Sequence, residues 1–340
     1  MDPAIYAPLF VSAEYIDAHP ELTDAARKMV REQVAANPDA YAHSDRARAV
    51  VRYARLHTDL LRQLDRMEEL TDEEFEREHT RLFSQAREEL HGICQLDPNC
   101  IDAQLLAILL ADAPIDDSLS DVLKLEERSR AHLEQSVPQF SLEHPHLWDP
   151  AELDAGPAER LALNCPEVIG WLHTLEVIAQ ECMLSARYRA AATYSRLVMR
   201  AQGYPNLAVG TLLLALARLE DEDGFFEIAQ QGGESIENLP WFMLGRTLLL
   251  YKLGRRRSAA RALRELARRC DGGAFFLLNP TYMNPYLPVR PAPRDPWSLT
   301  HMAVWEADGI IVDAPDFAGW AASIEGVEEA SREFALRNGF

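Results

Sequence analysis

The sequence predicts an all-α protein, a right-handed solenoid of antiparallel helical hairpins that ends in an extended proline-rich strap and short capping helices. Apolar residues recur at intervals of three and four, and alternating Val-, Ile- and Thr-rich runs are almost absent. Two segments match each other at 68 residues, twice a 34-residue period. Six prolines interrupt residues 279–296, so a regular helix cannot form there.

Composition excludes several functional classes. The chain has 340 residues with 34 basic and 54 acidic side chains, a net charge of −20. Such a surface disfavours general nucleic-acid binding and docking on anionic membranes. The longest strongly apolar stretch, residues 207–217, is too short for a bilayer span, which needs about 20 residues. The first 30 residues contain no secretory signal pattern, and the five cysteines are odd in number and scattered. A soluble cytoplasmic protein is therefore expected.

Four regions follow along the chain. Residues 1–135 are predicted to form irregular helical hairpins, with helices over residues 20–37, 44–67, 71–94 and 102–110. A capping box at Thr71 and Glu74 marks the start of the third of these helices. Residues 136–157, rich in Pro and His, are predicted to be a linker. Helical repeats over residues 158–276 precede the strap and capping region, residues 277–340, with short helices near 297–307, 315–323 and 327–337.

The internal repeat is the most informative pattern. Tyr188 lies three residues before Ala191, and small or apolar residues follow Ala191 at plus four and plus seven. The same spacing starts at Ala259, 68 residues later. The unit between them should centre on Phe225, where the Gly-Phe-Phe sequence departs from the pattern. Small residues at these positions let paired helices approach closely, and the segments resemble the tetratricopeptide repeat. The resemblance implies a solenoid of helical hairpins.

A second resemblance concerns the tail. Residues 284–288 read Asn-Pro-Tyr-Leu-Pro and follow the last helical repeat. This element resembles the tail of suppressor-of-tumorigenicity-seven-type proteins and of related bacterial repeat proteins, where a short helical segment comes next. The resemblance implies a fold and no chemistry, because that family offers no catalytic residues to carry over.

The sequence contains no familiar catalytic or metal-binding motif. His-Glu-x-x-His, Cys-x-x-Cys, Gly-x-Ser-x-Gly and the phosphate-binding glycine loops are all absent. The pairs Glu76/His79 and Glu88/His91 lie 12 residues apart on one predicted helix. They are separated by about 18 Å of helical rise, too far to share one metal ion. We therefore expect no catalytic residue, no bound metal and no cofactor.

One segment departs from the acidic background. Residues 246–269 contain nine basic residues and one acidic residue, a local charge of +8. Arg257, Arg261, Arg264 and Arg268, here named the arginine stripe, recur at four, three and four on one helical face. Their guanidinium groups could bind an acidic peptide or a carboxylate bidentately. Alternatively, the segment neutralises residues 220–237, which contain seven acidic and no basic residues.

These observations favour a non-enzymatic interaction module whose solenoid groove holds a protein or peptide partner. No nucleic-acid or membrane partner is expected. Two alternatives remain open at this stage. One is an enzyme or metal-binding protein whose site assembles from residues distant in sequence. The other is a structural repeat protein that associates with itself.

Overall fold

The structure is a computed structural model that describes residues 1–67, 70–111, 113–137, 140–142, 165–201, 204–281, 283, 286–314 and 316–340. Within these ranges the regular elements are all helical, which confirms the predicted all-α class. A 3-10 turn occupies Pro38–Tyr41. The α-helices are α1 (Pro3–Ala18), α2 (Asp24–Ala36), α3 (Asp45–Met67), α4 (Asp72–Leu96), α5 (Ile101–Leu109), α6 (Ile115–Ser136), α7 (Pro166–Leu184), α8 (Tyr188–Met199), α9 (Ala208–Arg218), α10 (Glu222–Gly232), α11 (Glu234–Glu237), α12 (Pro240–Lys252), α13 (Arg256–Arg269), α14 (Gly273–Leu278), α15 (Ser298–Glu306), α16 (Asp308–Val312), α17 (Phe317–Ala322) and α18 (Val327–Asn338).

The helices named from the sequence are present at nearly the predicted positions. At the start of α4, the Glu74 carboxylate accepts hydrogen bonds from the Thr71 amide at 3.2 Å and from its hydroxyl at 2.8 Å. The helix α1 was not among the helices predicted from the sequence, and Pro8 lies inside it. Its start is nevertheless well formed, since Asp2 accepts a hydrogen bond from the Ala4 amide at 2.8 Å and Pro3 takes the first helical position.

The described chain divides into two compact units. Unit 1 comprises Met1–Val177, Arg200–Pro205 and Leu287–Val289, and unit 2 comprises Ile178–Met199, Asn206–Tyr286 and Arg290–Phe340. Most of the predicted linker, residues 136–157, lies outside the described residues; only 136–137 and 140–142 belong to them.

Unit 1 is built around α3 and α4. The helix α1 packs on α3, α3 on α4, α4 on α5, and α5 on α6. The apolar faces of α3, α4 and α5 meet in one continuous core that also takes in Leu287. At the centre of that core Tyr53, Leu60, Leu90 and Ile93 are fully buried. Removal of this apolar surface from water is the main force that holds the three helices together.

Three helical pairs follow one another along the chain, α7–α8, α9–α10 and α12–α13. The part of α7 up to Val177 belongs to unit 1, and the rest of the three pairs belongs to unit 2. The helix α8 packs on α9, α9 on both α10 and α12, and α12 on α13. In the second helix of each pair, one equivalent side chain is fully buried. These side chains are Ala191, Phe225 and Ala259, which lie at 34-residue intervals. The doubtful middle unit is thus a helical pair in which Phe225 takes the place of the small residue and stacks on Phe242.

The turns inside the three pairs repeat at the same interval. Ala186, Glu220 and Gly254 have left-handed backbone conformations with φ of 58°, 58° and 72°, and they are 34 residues apart. The residue that follows each of them donates a backbone hydrogen bond from its amide to the carbonyl five residues before it. These bonds join Arg187 to Cys182 at 2.7 Å, Asp221 to Leu216 at 3.1 Å and Arg255 to Leu250 at 2.9 Å. The pattern is the Schellman helix stop, which favours glycine at the left-handed residue.

Exchanging the residues of two of these turns should move stability in opposite directions. A left-handed Ala costs about 1–2 kcal/mol in the folded chain, part of which the greater entropy of an unfolded Gly offsets. We expect Ala186→Gly to raise the free energy of unfolding by about 0.5–1 kcal/mol, and Gly254→Ala to lower it by about 1 kcal/mol. A Cβ at Gly254 would meet no atom within 4 Å, so the cost there is conformational.

Thermal unfolding followed by circular dichroism measures both changes. Gly326→Ala is the matched control for the loss, because Gly326 has a φ of 86° and equally open space around its Cβ position. A loss of stability in Ala186→Gly would contradict the assignment of strain to that turn.

Short helices and aromatic side chains complete the end of unit 2. The helix α18 packs on α13, α14 and α17. His301 stacks on Phe276 with ring centroids 4.4 Å apart, and Trp297 lies 5.4 Å from the same ring. Trp320 contacts Tyr251 of α12 at 4.7 Å. The described residues of the 279–296 segment form no helix, as the prolines predict. Among all described helices, none combines the length and the apolar character that a bilayer crossing requires.

Candidate functional site

The arginine stripe lies on the solvent face of α13. Arg257, Arg261, Arg264 and Arg268 are all exposed. The opposite face of the same helix is buried through Ala259, Ala262, Leu263 and Leu266. The helix therefore separates its charged and apolar residues as the four-three-four spacing predicts.

The other basic residues of this segment are engaged within the chain. Arg246 and Arg269 both bind Glu265, at 2.5 Å and 2.7 Å. Their hydrogen bonds, that of Arg269 first, lower the pKa of this carboxyl group. Lys252 lies 3.7 Å from Glu220, and Arg255 donates to Glu222 at 2.8 Å. The last two pairs neutralise part of the acidic region that precedes the segment.

The stripe itself takes no part in this neutralisation. Within the described ranges, none of its four arginines forms an ion pair with a carboxylate. Arg261 donates one hydrogen bond, to the Ser258 hydroxyl at 3.2 Å. The stripe therefore presents four guanidinium groups whose bidentate donors are directed to solvent. Exposed cations of this kind cost little when unpaired and remain available to an anionic surface.

The helices α9 and α12 are largely covered by the chain itself. Almost every residue of both helices is buried. The helix α15 packs on α12 and delivers Glu306 to this face. Glu306 accepts a hydrogen bond from the Trp241 indole at 2.9 Å, and its other oxygen accepts one from the Tyr286 hydroxyl at 2.9 Å. A partner cannot occupy this part of the surface while α15 remains in place.

A buried ion pair fixes the strap to the same face. Arg290 Nε donates to Glu306 at 2.9 Å, and the two side chains are only 8% and 5% exposed. The Arg290 guanidinium also donates to the Thr211 hydroxyl of α9 at 2.7 Å. Tyr286 completes the cluster, and burial, together with the Glu306 charge, raises the pKa of its hydroxyl far above the usual range. Every ionised group in the cluster has hydrogen-bond partners, which is the condition for stable burial of charge.

Unit 1 contains a separate buried polar cluster assembled from distant residues. Asp102 lies 2.8 Å from His173 Nδ1 and accepts a hydrogen bond from the Tyr6 hydroxyl. His173 Nε2 lies 2.9 Å from the Met1 nitrogen. Burial opposes ionisation of Asp102, but its interactions with His173 and Tyr6 outweigh that effect and hold the pKa of this carboxyl below its usual value. The sequence predicted that Asp102 begins a helix, but it did not predict that Asp102 binds Tyr6 and His173.

This Asp-His pair has no space for a substrate. Asp102 and His173 are 2% and 1% exposed. The cavity bordered by Tyr6 and Asp102 has a volume of about 10 Å³, which holds no more than about one water molecule. Burial also lowers the pKa of the neighbouring His57. The arrangement can orient and stabilise, and it lacks the accessible nucleophile or open pocket that catalysis needs.

A groove lies between α3 and α4. Its volume is about 810 Å³, with an apolar floor that includes Leu60, Leu82 and Ala86. Three arginines of α3 line it, and all of them are paired. Arg48 binds Asp45, Arg52 binds Glu89 at 2.7 Å, and Arg55 binds Asp39. Because Asp39, Asp59 and Glu89 offset these arginines, the lining has no net charge that would select an anion.

The cysteines of the chain are buried or half-buried thiols. All five cysteines are free. Burial raises the pKa of Cys165 to about 12, and the pKa values of Cys182 and Cys270 to about 11. Such thiols are protonated at neutral pH and are poor nucleophiles. Within the same ranges no three His, Cys, Asp or Glu side chains are grouped so that they could hold a metal ion.

Comparison of the chain with protein-family models, with curated proteins and with solved structures found no match.

Proposed function

We propose that the chain is a divergent tetratricopeptide-like solenoid that acts as a non-enzymatic interaction module in the cytoplasm, with the arginine stripe as its binding surface for an acidic protein partner. The three helical pairs with left-handed turns at 34-residue intervals support the repeat architecture. The five free thiols are consistent with a reducing compartment.

One observation supports the proposed binding surface: the four arginines are exposed and form no ion pair. The basic residues around them bind carboxylates or, in the case of Arg256, lie over the Tyr251 ring. In a chain of net charge −20, an unneutralised basic stripe on one helix concentrates the attraction for anions in one place. Because α15 packs on α12 and its Glu306 accepts a hydrogen bond from Thr211 of α9, we assign the partner to the outer face of α13 and not to a groove lined by α9 and α12.

Fluorescence anisotropy with a labelled Glu-rich peptide tests this assignment. The reference probe is the same peptide with Gln in place of Glu. We expect wild-type protein to bind the acidic peptide more tightly than the neutral one. Reversal of the stripe, with Arg257, Arg261, Arg264 and Arg268→Glu, should weaken binding of the acidic peptide by about tenfold or more, since each lost contact is worth up to about 1 kcal/mol.

The matched control reverses four exposed arginines elsewhere: Arg31, Arg66, Arg87 and Arg332→Glu. It has the same net charge as the stripe variant. An equal loss of binding in both variants would show that net charge alone is responsible and would overturn the assignment. Circular dichroism verifies that each variant keeps the helical content of the wild type.

A further inference from the structure

A second charged face lies one repeat before the arginine stripe, and its charge is opposite. Asp223, Glu227, Glu234 and Glu237 of α10 and α11 are exposed, and among the described residues none of them forms an ion pair. We name these four residues the acidic face. Glu227 accepts one hydrogen bond, from the Gln231 amide of its own helix at 3.3 Å.

Three residues of the acidic face occupy positions equivalent to residues of the stripe in the next helical pair. Asp223 and Glu227 lie on α10, and Glu234 begins α11 after a break at Gly233, whose φ is 55°. Carboxylates on these two short helices could meet guanidinium groups of a facing α13. The equivalence is read from the 34-residue period, which relates Asp223 to Arg257, Glu227 to Arg261 and Glu234 to Arg268.

Within one chain the two faces do not neutralise each other. The ion pairs that join the acidic region to the basic segment are Lys252 with Glu220 and Arg255 with Glu222, both beside the turns. The eight side chains of the two faces stay outside these pairs. Each face therefore leaves four charges for a second molecule.

An apolar contact can accompany the charges. Phe226 lies next to Glu227 on α10, and 38% of its surface is exposed. The equivalent position on α13 is Ala260, a small residue between arginines of the stripe. An aromatic ring over this alanine would bury apolar surface and lie within reach of guanidinium groups, which favour ring faces.

We propose that the stripe of one copy binds the acidic face of a second copy, and that a two-fold axis repeats this contact to give a homodimer. This proposal rests on the proposed function, because it uses the stripe as the binding surface. It adds that the partner is a second copy of the chain. A surface with one basic and one acidic face is complementary to itself under two-fold rotation. Salt at 0.1 M screens the repulsion between two chains of net charge −20 beyond about 10 Å. The direct contacts between the two faces therefore determine whether the dimer forms.

Sedimentation velocity and light scattering test the dimer with charge-swapped variants. An acidic variant has Arg257, Arg261, Arg264 and Arg268→Glu. A basic variant has Asp223, Glu227, Glu234 and Glu237→Arg. We expect the wild type to change with concentration from its monomer mass of 38.3 kDa to twice that mass. Each variant alone should be monomeric, because like charges then meet at both contacts.

The decisive measurement uses a mixture of the two variants. In a mixed dimer both contacts again join opposite charges, so an equimolar mixture should recover at least half of the wild-type dimer. This recovery also shows that the variants are folded. The control variant Arg31, Arg66, Arg87 and Arg332→Glu should dimerise like the wild type within about threefold in dissociation constant, since these arginines lie outside the contact.

Three results would overturn the dimer: a wild type that stays monomeric up to its highest soluble concentration, variants that still dimerise alone, or a mixture that does not recover the dimer. The peptide experiment separates this failure from that of the proposed function. If the stripe-dependent binding of the Glu-rich peptide persists, the stripe is a binding surface for another protein; if that binding is also lost, both proposals fail.

Discussion

Replacement of Glu306 by Gln is expected to lower the free energy of unfolding by about 3–5 kcal/mol, because the substitution removes the carboxylate charge that faces the buried Arg290 guanidinium. Arg290 and Glu306 are only 8% and 5% exposed, so water cannot take over the lost interaction. The Gln amide would also direct a donor towards groups that already donate, among them the Trp241 indole. Urea unfolding followed by circular dichroism measures the change.

Glu265→Gln is the matched control for this experiment. Glu265 also binds two arginines, Arg246 and Arg269, but 31% of its side chain is exposed. Its replacement should lower the free energy of unfolding by about 1 kcal/mol or less, because solvent screens exposed ion pairs. Equal losses in the two variants would contradict the view that burial gives the Glu306 cluster its importance.

Replacement of Asp102 by Asn is the second large effect, with an expected loss of about 3 kcal/mol or more in unit 1. Asp102 is 2% exposed and binds both Tyr6 and His173. An Asn has one carbonyl oxygen in place of two carboxylate oxygens and has no charge, so it cannot accept from both groups with the strength of a carboxylate. Chemical unfolding followed by circular dichroism gives the loss directly.

Two companion variants make this result interpretable. Tyr6→Phe removes one of the two donors and should cost about 1–2 kcal/mol, less than the loss of the carboxylate. Asp45→Asn changes an exposed carboxylate that pairs with Arg48, and should cost less than about 0.5 kcal/mol. An Asp102→Asn protein as stable as the Asp45→Asn protein would show that the buried cluster contributes little to unit 1.

The helices and the stripe could be predicted because their signals are local. The periodicity that defines α13 and the positions of its four arginines lie within one helix of 14 residues, and helical geometry alone places them on one face. Similarly, the capping box at Thr71 needs only four consecutive residues. In contrast, α1 was not predicted, and a proline inside a helix, such as Pro8, is a local signal against one.

The buried clusters could not be predicted in the same way. Glu306 binds Thr211 and Trp241, which lie 95 and 65 residues away, and nothing in local spacing connects them. One signal was present in each case: a carboxylate within a mostly apolar helix. Asp102 lies between Ile101 and Ala103, and Glu306 follows Val304 and Trp305. Such a residue must either face solvent or find a buried partner, and only tertiary contacts show which of these occurs.

By itself the sequence determined the helical class, the 34-residue phase and the basic face of α13. All of these follow from the spacing of side chains along a backbone of fixed pitch. Only the tertiary structure decided that α15 packs on α12, and that Ala186 and Glu220 take the turn conformation that glycine prefers. It also decided that the stripe forms no ion pair while Arg246, Arg255 and Arg269 bind carboxylates. These features depend on which surfaces meet after folding. The spacing of residues along the chain does not show which carboxylate a given arginine will bind or which helix will cover a given face.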